Sequence, residues 1–263
     1  MHKSKLLVAV LGTLCAMPVF AADAPAAPAP APAFTVTSNF GFISNYVFRG
    51  ITQTAGAPAA QGGMDFAHAS GFYAGAWGSN VSWIADASAV GTGSVTMELD
   101  TYLGYKGSIT GDVGYDVGYV RYNYLGSSNY TAAAGFALAD TAEVYAALSY
   151  KFLTAKYSYS TLNQFLTVPD EKGTNYLELN ASYTIPDTSY TLSAHYGKQT
   201  YTGSAADALY SYSDYKVGVA KDFSGYVLTL AYTSTNAKET GYTYTNGGFW
   251  GKAATAVSLT HSF

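Results

Sequence analysis

From Phe34 onward the chain alternates apolar and polar residues in runs of about ten, each broken by Gly, Pro, Asp or Ser. A period of two rather than 3.6 predicts strands, and no long window carries a competing helical period. Twelve are predicted, over 34–49, 60–69, 72–82, 95–106, 112–124, 141–152, 153–161, 174–185, 189–199, 213–222, 225–236 and 254–263. In the first, Phe34, Val36, Phe40, Phe42, Tyr46 and Phe48 share one parity, and Thr35, Thr37, Asn39, Gly41, Asn45 and Arg49 the other. The fourth places Val95, Met97, Leu99, Leu103 and Tyr105 opposite Glu98, Asp100, Tyr102 and Lys106. The eighth sets Leu177, Leu179 and Tyr183 against Glu178, Asn180 and Ser182; the ninth sets Tyr190, Leu192 and Tyr196 against Ser193 and His195. Successive side chains point to opposite faces of a strand, so each strand has one apolar and one polar face.

The connections follow their own rhythm. After the even-numbered strands come short turns such as "SG", "GSITG", "PDTS" and "FSG"; after the odd-numbered ones come much longer loops. That alternation predicts an all-β transmembrane antiparallel barrel of about 12 strands, with short periplasmic turns, long extracellular loops and both termini inside. A soluble sandwich has no reason to keep it. Spread over twelve strands, residues 22–263 allow about twenty residues per strand with its connection, against the ~9–11 needed to cross a bilayer.

Composition narrows the compartment. "MHKSKLLVAVLGTLCAMPVFA" has Lys3 and Lys5, an apolar stretch, and small residues before a cut after Ala21, which reads as an export signal over 1–21. Residues 22–33 form a Pro/Ala-rich linker, and 34–263 the folded barrel. The one cysteine, Cys15, falls in the signal, so no disulfide framework is available. Charged residues make up 11% of the chain, against roughly 25% in soluble domains. Without Lys3 and Lys5, 13 − 2 = 11 basic residues face 17 acidic ones, a net charge of −6 that disfavours nucleic acid. Beyond the signal no apolar run approaches the ~18 residues of a membrane helix, and lipid then admits only a closed barrel.

Candidate chemistry lies on the polar parity. Asp65, Glu98, Asp100, Asp112, Asp116, Glu143 and Glu178 are expected to face the lumen, with Arg49, Lys106, Lys151, Lys156 and Lys216. The acidic excess favours cations or neutral solutes. Arg49 is expected at the top of the first strand, either paired with an acid such as Asp65 or Asp100 or meeting a passing anion. Charged rings at a constriction set selectivity. "AVSLTHSF" ends the chain with Val257, Leu259 and the terminal Phe263 on one parity and resembles a barrel-assembly signal.

Other chemistry is thin. His68 and Ser70 share a parity and make a hydrolytic pair conceivable, as in a lipid-modifying barrel enzyme, but they fall at a periplasmic turn and no orienting carboxylate is evident nearby. No two histidines have metal-ligand spacing. "GTGSVT" (Gly91 to Thr96) lacks the lysine of a phosphate loop. No cofactor is expected.

The segments "SNYVFRGITQT", "PAAQGGMDFAH" and "SGFYAGAWGSNV" resemble the head of the TorF-type porin family of bacterial outer-membrane proteins. The motif residues are Ser44, Asn45, Tyr46, Phe48, Arg49, Gly50, Gln61, Gly62 and Gly63. Weaker likeness continues through "ELDTYLGYKG" and "VYAALSYKFLTAKYSYS". The resemblance implies an outer-membrane barrel for passive transport and brings no catalytic residues. Expected partners are outer-membrane lipids, the barrel assembly machinery and small polar solutes or ions. The alternatives are a structural or adhesive barrel with a plugged lumen, and the lipid-modifying enzyme.

Overall fold

The computed structural model describes residues 33–87, 91–93, 95–126, 130–245 and 247–263. The export signal and nearly all of the linker lie outside the described residues. Twelve strands form one closed barrel. They are β1 (Phe34–Ile43), β2 (Ala59–His68), β3 (Phe72–Asn80), β4 (Met97–Thr110), β5 (Val113–Leu125) and β6 (Thr141–Tyr150). The circuit continues with β7 (Leu153–Ser160), β8 (Asn175–Thr184), β9 (Tyr190–Thr200), β10 (Tyr212–Phe223), β11 (Tyr226–Thr235) and β12 (Ala254–Ser262). Each pairs antiparallel with its neighbours in sequence. β12 pairs back onto β1, with Leu259 opposite Phe42 and His261 opposite Phe40, so no edge is left unpaired.

The turns at one end span 69–71, 111–112, 151–152, 185–189 and 224–225; the loops at the other span 44–58, 81–96, 126–140, 161–174, 201–211 and 236–253. Both described chain ends lie on the short-turn side, since Phe34 pairs with His68 and Phe263 exchanges backbone hydrogen bonds with Ser38. Ser224 and Gly225 both take positive φ, as a two-residue hairpin turn with right-handed strand twist requires.

The faces divide as the alternation predicts. Phe34, Val36, Phe40, Phe42, Leu103, Leu177, Leu179, Leu192 and Leu230 stand exposed around the outside, while Glu98, Asp100, Glu143, Glu178 and Asp214 are buried within. A continuous apolar outer surface of this extent is unfavourable in water and suited to acyl chains. Inside, tyrosines cover glycines on neighbouring strands. A Cβ on Gly75 would meet the Tyr102 hydroxyl at 2.5 Å, and one on Gly118 the Tyr145 hydroxyl at the same distance.

Three expectations need correction. The first strand does not run to Arg49: β1 ends at Ile43, and Tyr46 and Phe48 turn into the barrel instead of meeting lipid. Val95 likewise precedes β4 and is buried among the loops. Asp112 and Lys151 occupy short turns rather than the bore; Lys151 has a φ of 55°. In each case an alternating pattern continues past the point where ladder pairing stops.

Candidate functional site in the barrel bore

The residues after Ile43 build a small hairpin that enters the lumen. Val47–Phe48 pair with Ile51–Thr52, and Arg49 and Gly50, with φ of 48° and 78°, make the turn. Gly50 is required twice over, by its positive φ and because a Cβ would lie 2.6 Å from Asp214 Cβ on β10. The motif residues hold the loop. Ser44 extends the β1–β12 pairing through its backbone N–H to Val257 O at 2.8 Å. The Asn45 side-chain oxygen accepts from the hydroxyls of Thr52 at 2.5 Å and Thr54 at 3.5 Å. The Thr54 hydroxyl in turn accepts from the Tyr46 N–H at 3.1 Å.

Neighbouring loops clamp the hairpin from outside. Thr52 N–H donates to Trp250 O at 3.0 Å, and Gln53 O accepts from Ser82 N–H at 2.8 Å. Gln61 donates to Ser79 Oγ at 3.3 Å, tying β2 to β3. Gly63 allows close strand approach, since a Cβ there would meet Ala76 O at 2.8 Å; at Gly62 it would meet Asn39 O at 3.0 Å.

Arg49 crosses the bore from this turn. Its guanidinium donates to Glu143 Oε1 at 2.9 Å and Oε2 at 2.7 Å, a two-pronged pair on β6. It also donates to Gln199 Oε1 at 2.9 Å and lies 4.2 Å from the Tyr176 ring centroid, over that ring. The Arg49 and Glu143 side chains are 8% and 1% exposed, so the pair is sealed from water. The expected partners of Arg49 were Asp65 or Asp100. Both face inward, but the hairpin carries Arg49 away from them. Asp65 accepts from Tyr102 at 2.5 Å, and Glu98 accepts from Tyr46 at 3.3 Å, with Asp100 beside it on the same strand face.

Next to the crossing lies a second polar group. Tyr176 donates to Asp214 Oδ2 at 2.8 Å, and His195 Nε2 lies 3.1 Å from Asp214 Oδ1. His195 Nδ1 is 2.7 Å from Asn180 Oδ1, Asn180 donates to Glu178 at 3.0 Å, and Lys156 Nζ lies 3.8 Å from Glu178. Asp116 accepts from Tyr73 at 2.6 Å, directly opposite Lys106 in the β4–β5 register. Lys216 stands opposite His195 in the β9–β10 register.

Asp214, Gln199 and Tyr176 were not expected as site residues. Asp214 and Gln199 follow from parity on strands already predicted. Tyr176 was masked because a tyrosine reads equally as interfacial. The terminal residues behave differently. Val257, Leu259 and Phe263 are exposed on the outer face, with the Phe263 ring 4.7 Å from that of His261.

The His68–Ser70 pair does form, with Nδ1 and Oγ 2.9 Å apart at an exposed short turn, but no carboxylate touches the His68 ring among the described residues. Among those residues, no group of three or more His, Cys, Asp or Glu is placed to hold a metal ion.

Comparison with known proteins adds one family and a set of barrels. The family model described as bacterial protein of unknown function (Gcw_chp) matches residues 26–263. No curated protein matches the sequence. Among solved structures, the KdgM porin aligns over 86% of this chain and 98% of its own, with TM-score 0.51 and 8% identity. OccAB3 of Acinetobacter baumannii gives TM-score 0.41 and 11% identity, over 89% of this chain and 65% of its own. The Pseudomonas putida toluene transporter TodX gives 0.44 and 11%, over 89% and 90%. The KdgM likeness is one of fold; the other two are too distant to carry an argument.

Proposed function

We propose that this chain, which belongs to the Gcw_chp family of bacterial proteins of unknown function, is an outer-membrane channel for small polar solutes or ions. Its residues 1–21 would direct export, the 22–33 linker would remain in the periplasm, and the assembly machinery would insert the barrel through the signal ending in Phe263. The TorF-type porin resemblance agrees with this reading.

The observation that carries it is the bore itself. An apolar cylinder encloses a polar lumen, narrowed by one inward loop tipped with Arg49. The lumen-facing carboxylates Asp65, Glu98, Asp100, Asp116, Glu143, Glu178 and Asp214 outnumber Arg49, Lys106, Lys156 and Lys216. Arg49 is neutralised by Glu143, so the residual field is negative and favours cations over anions. Reversal potentials across a KCl gradient test this: cation preference that falls in Glu178→Gln supports it, and anion preference overturns it.

The sealed Arg49–Glu143 pair favours a second reading, a barrel plugged at the hairpin with a structural role. Liposome swelling separates the two. Entry of small neutral solutes supports the channel, and impermeable liposomes support the plug.

A further inference from the structure

On the long-loop side of the hairpin lies a cavity of about 190 Å³. Phe48 and Ile51 of the hairpin form one wall; Phe165, Tyr201, Tyr242 and Trp250 contribute to the others. Among the described residues no Asp, Glu, Lys, Arg or His lines it. Burial pushes the phenols of Tyr201, Tyr210 and Tyr242 up, so these tyrosines stay neutral at ordinary pH. An ion entering would lose its hydration without meeting a counter-charge.

The size suits one ring. Apolar cavities of ~150 Å³ hold benzene-sized molecules. Aromatic walls favour a planar guest through offset and edge-to-face contacts. Several polar groups that line the space are committed elsewhere: Gln199 to Arg49 and to Asn175 O, Gln53 to Ile51 O, and the Tyr242 hydroxyl to Tyr210 O. Trp83 and Trp250, 5% and 8% exposed, add indole rings to the walls.

We propose that this vestibule binds a small, uncharged, monocyclic aromatic molecule. The site does not depend on the bore conducting.

Titration calorimetry of the purified, folded barrel against a matched detergent blank tests it, with acetophenone as the probe and benzoate as its charged counterpart. Saturable 1:1 heat with acetophenone, at least tenfold weaker for benzoate, is expected. Phe165→Trp fills the space and should abolish binding; Phe165→Leu removes a ring from the wall without filling the space, should weaken acetophenone about tenfold, and decides the matter if Phe165→Trp does not fold. Equal heats for benzoate, unchanged binding by folded Phe165→Trp, or no heat beyond the blank would overturn the site. Conductance is recorded separately, so failure here leaves the channel reading standing.

Discussion

Arg49 and Glu143, 94 residues apart in sequence, meet across the bore in a two-pronged ion pair whose shorter contact is 2.7 Å. The pair fixes the hairpin tip to β6, and Glu143 also accepts from Tyr122 at 3.2 Å. Removing one member leaves the other charged and dry. Arg49→Asn retains a residue tolerant of positive φ while removing the guanidinium and most of its stem. A loss of about 3–5 kcal/mol is expected, with substantial recovery in Arg49→Asn/Glu143→Gln. Urea unfolding of the barrel in lipid measures both; equal stability of wild type and the single variant would contradict the account.

Gly50→Ala should lift the tip off β10 without unfolding the barrel, because the new Cβ meets Asp214 within 2.6 Å at a φ of 78°. Strand content by circular dichroism should stay unchanged, while limited proteolysis cuts faster within 44–58. Unchanged cleavage would mean that the tip tolerates a side chain.

The lumen's tyrosine–glycine contacts predict a separate sensitivity. Gly75→Ala forces Tyr102 away from Asp65, an overpacking change expected to cost ~1–3 kcal/mol. Gly75→Ala/Tyr102→Ala should be closer to wild type in the temperature at which the folded band on a semi-native gel is lost. Equal losses in the single and double variants would argue against the contact.

The outer face sets its own test. Leu179→Arg puts a charge on the exposed apolar surface and should cost about 2–4 kcal/mol near the bilayer midplane. Ser182→Ala, on the bore-facing parity of the same strand, should cost much less. Reversed costs would turn the barrel's faces inside out.

Deletion of Phe263 should lower the yield of assembled barrel at constant expression. Its backbone donates to Ser38 O at 2.8 Å, and its ring is largely exposed, free for recognition. Equal amounts of folded band in outer-membrane fractions would remove the proposed assembly signal.

The strands were legible because lipid outside and water inside impose period two on every one of them. β8 is predicted at 174–185 and observed at Asn175–Thr184, and β11 at 225–236 and Tyr226–Thr235. The hairpin was not legible for the same reason. Tyr46 and Phe48 continue the parity of Phe40 and Phe42, and an aromatic ring is as well satisfied against Trp77 or Tyr122 as against acyl chains. The local cue was the dipeptide Arg49-Gly50, with glycine where a two-residue turn needs positive φ. The partners of Arg49 depended on how far the loop reaches across the bore, and alternation within one strand carries no such information. Asp214 and Gln199 needed only the parity of β10 and β9 carried to their upper ends.

The central claim, a conducting bore throttled by the Arg49 hairpin, is tested most directly by single-channel recording in planar bilayers. Wild type is compared with a variant whose residues 47–52 are replaced by a Gly/Ser linker. Small, cation-preferring steps in wild type and clearly larger steps in the variant are the predicted result. Silent bilayers for both folded proteins, or identical conductance, would contradict it.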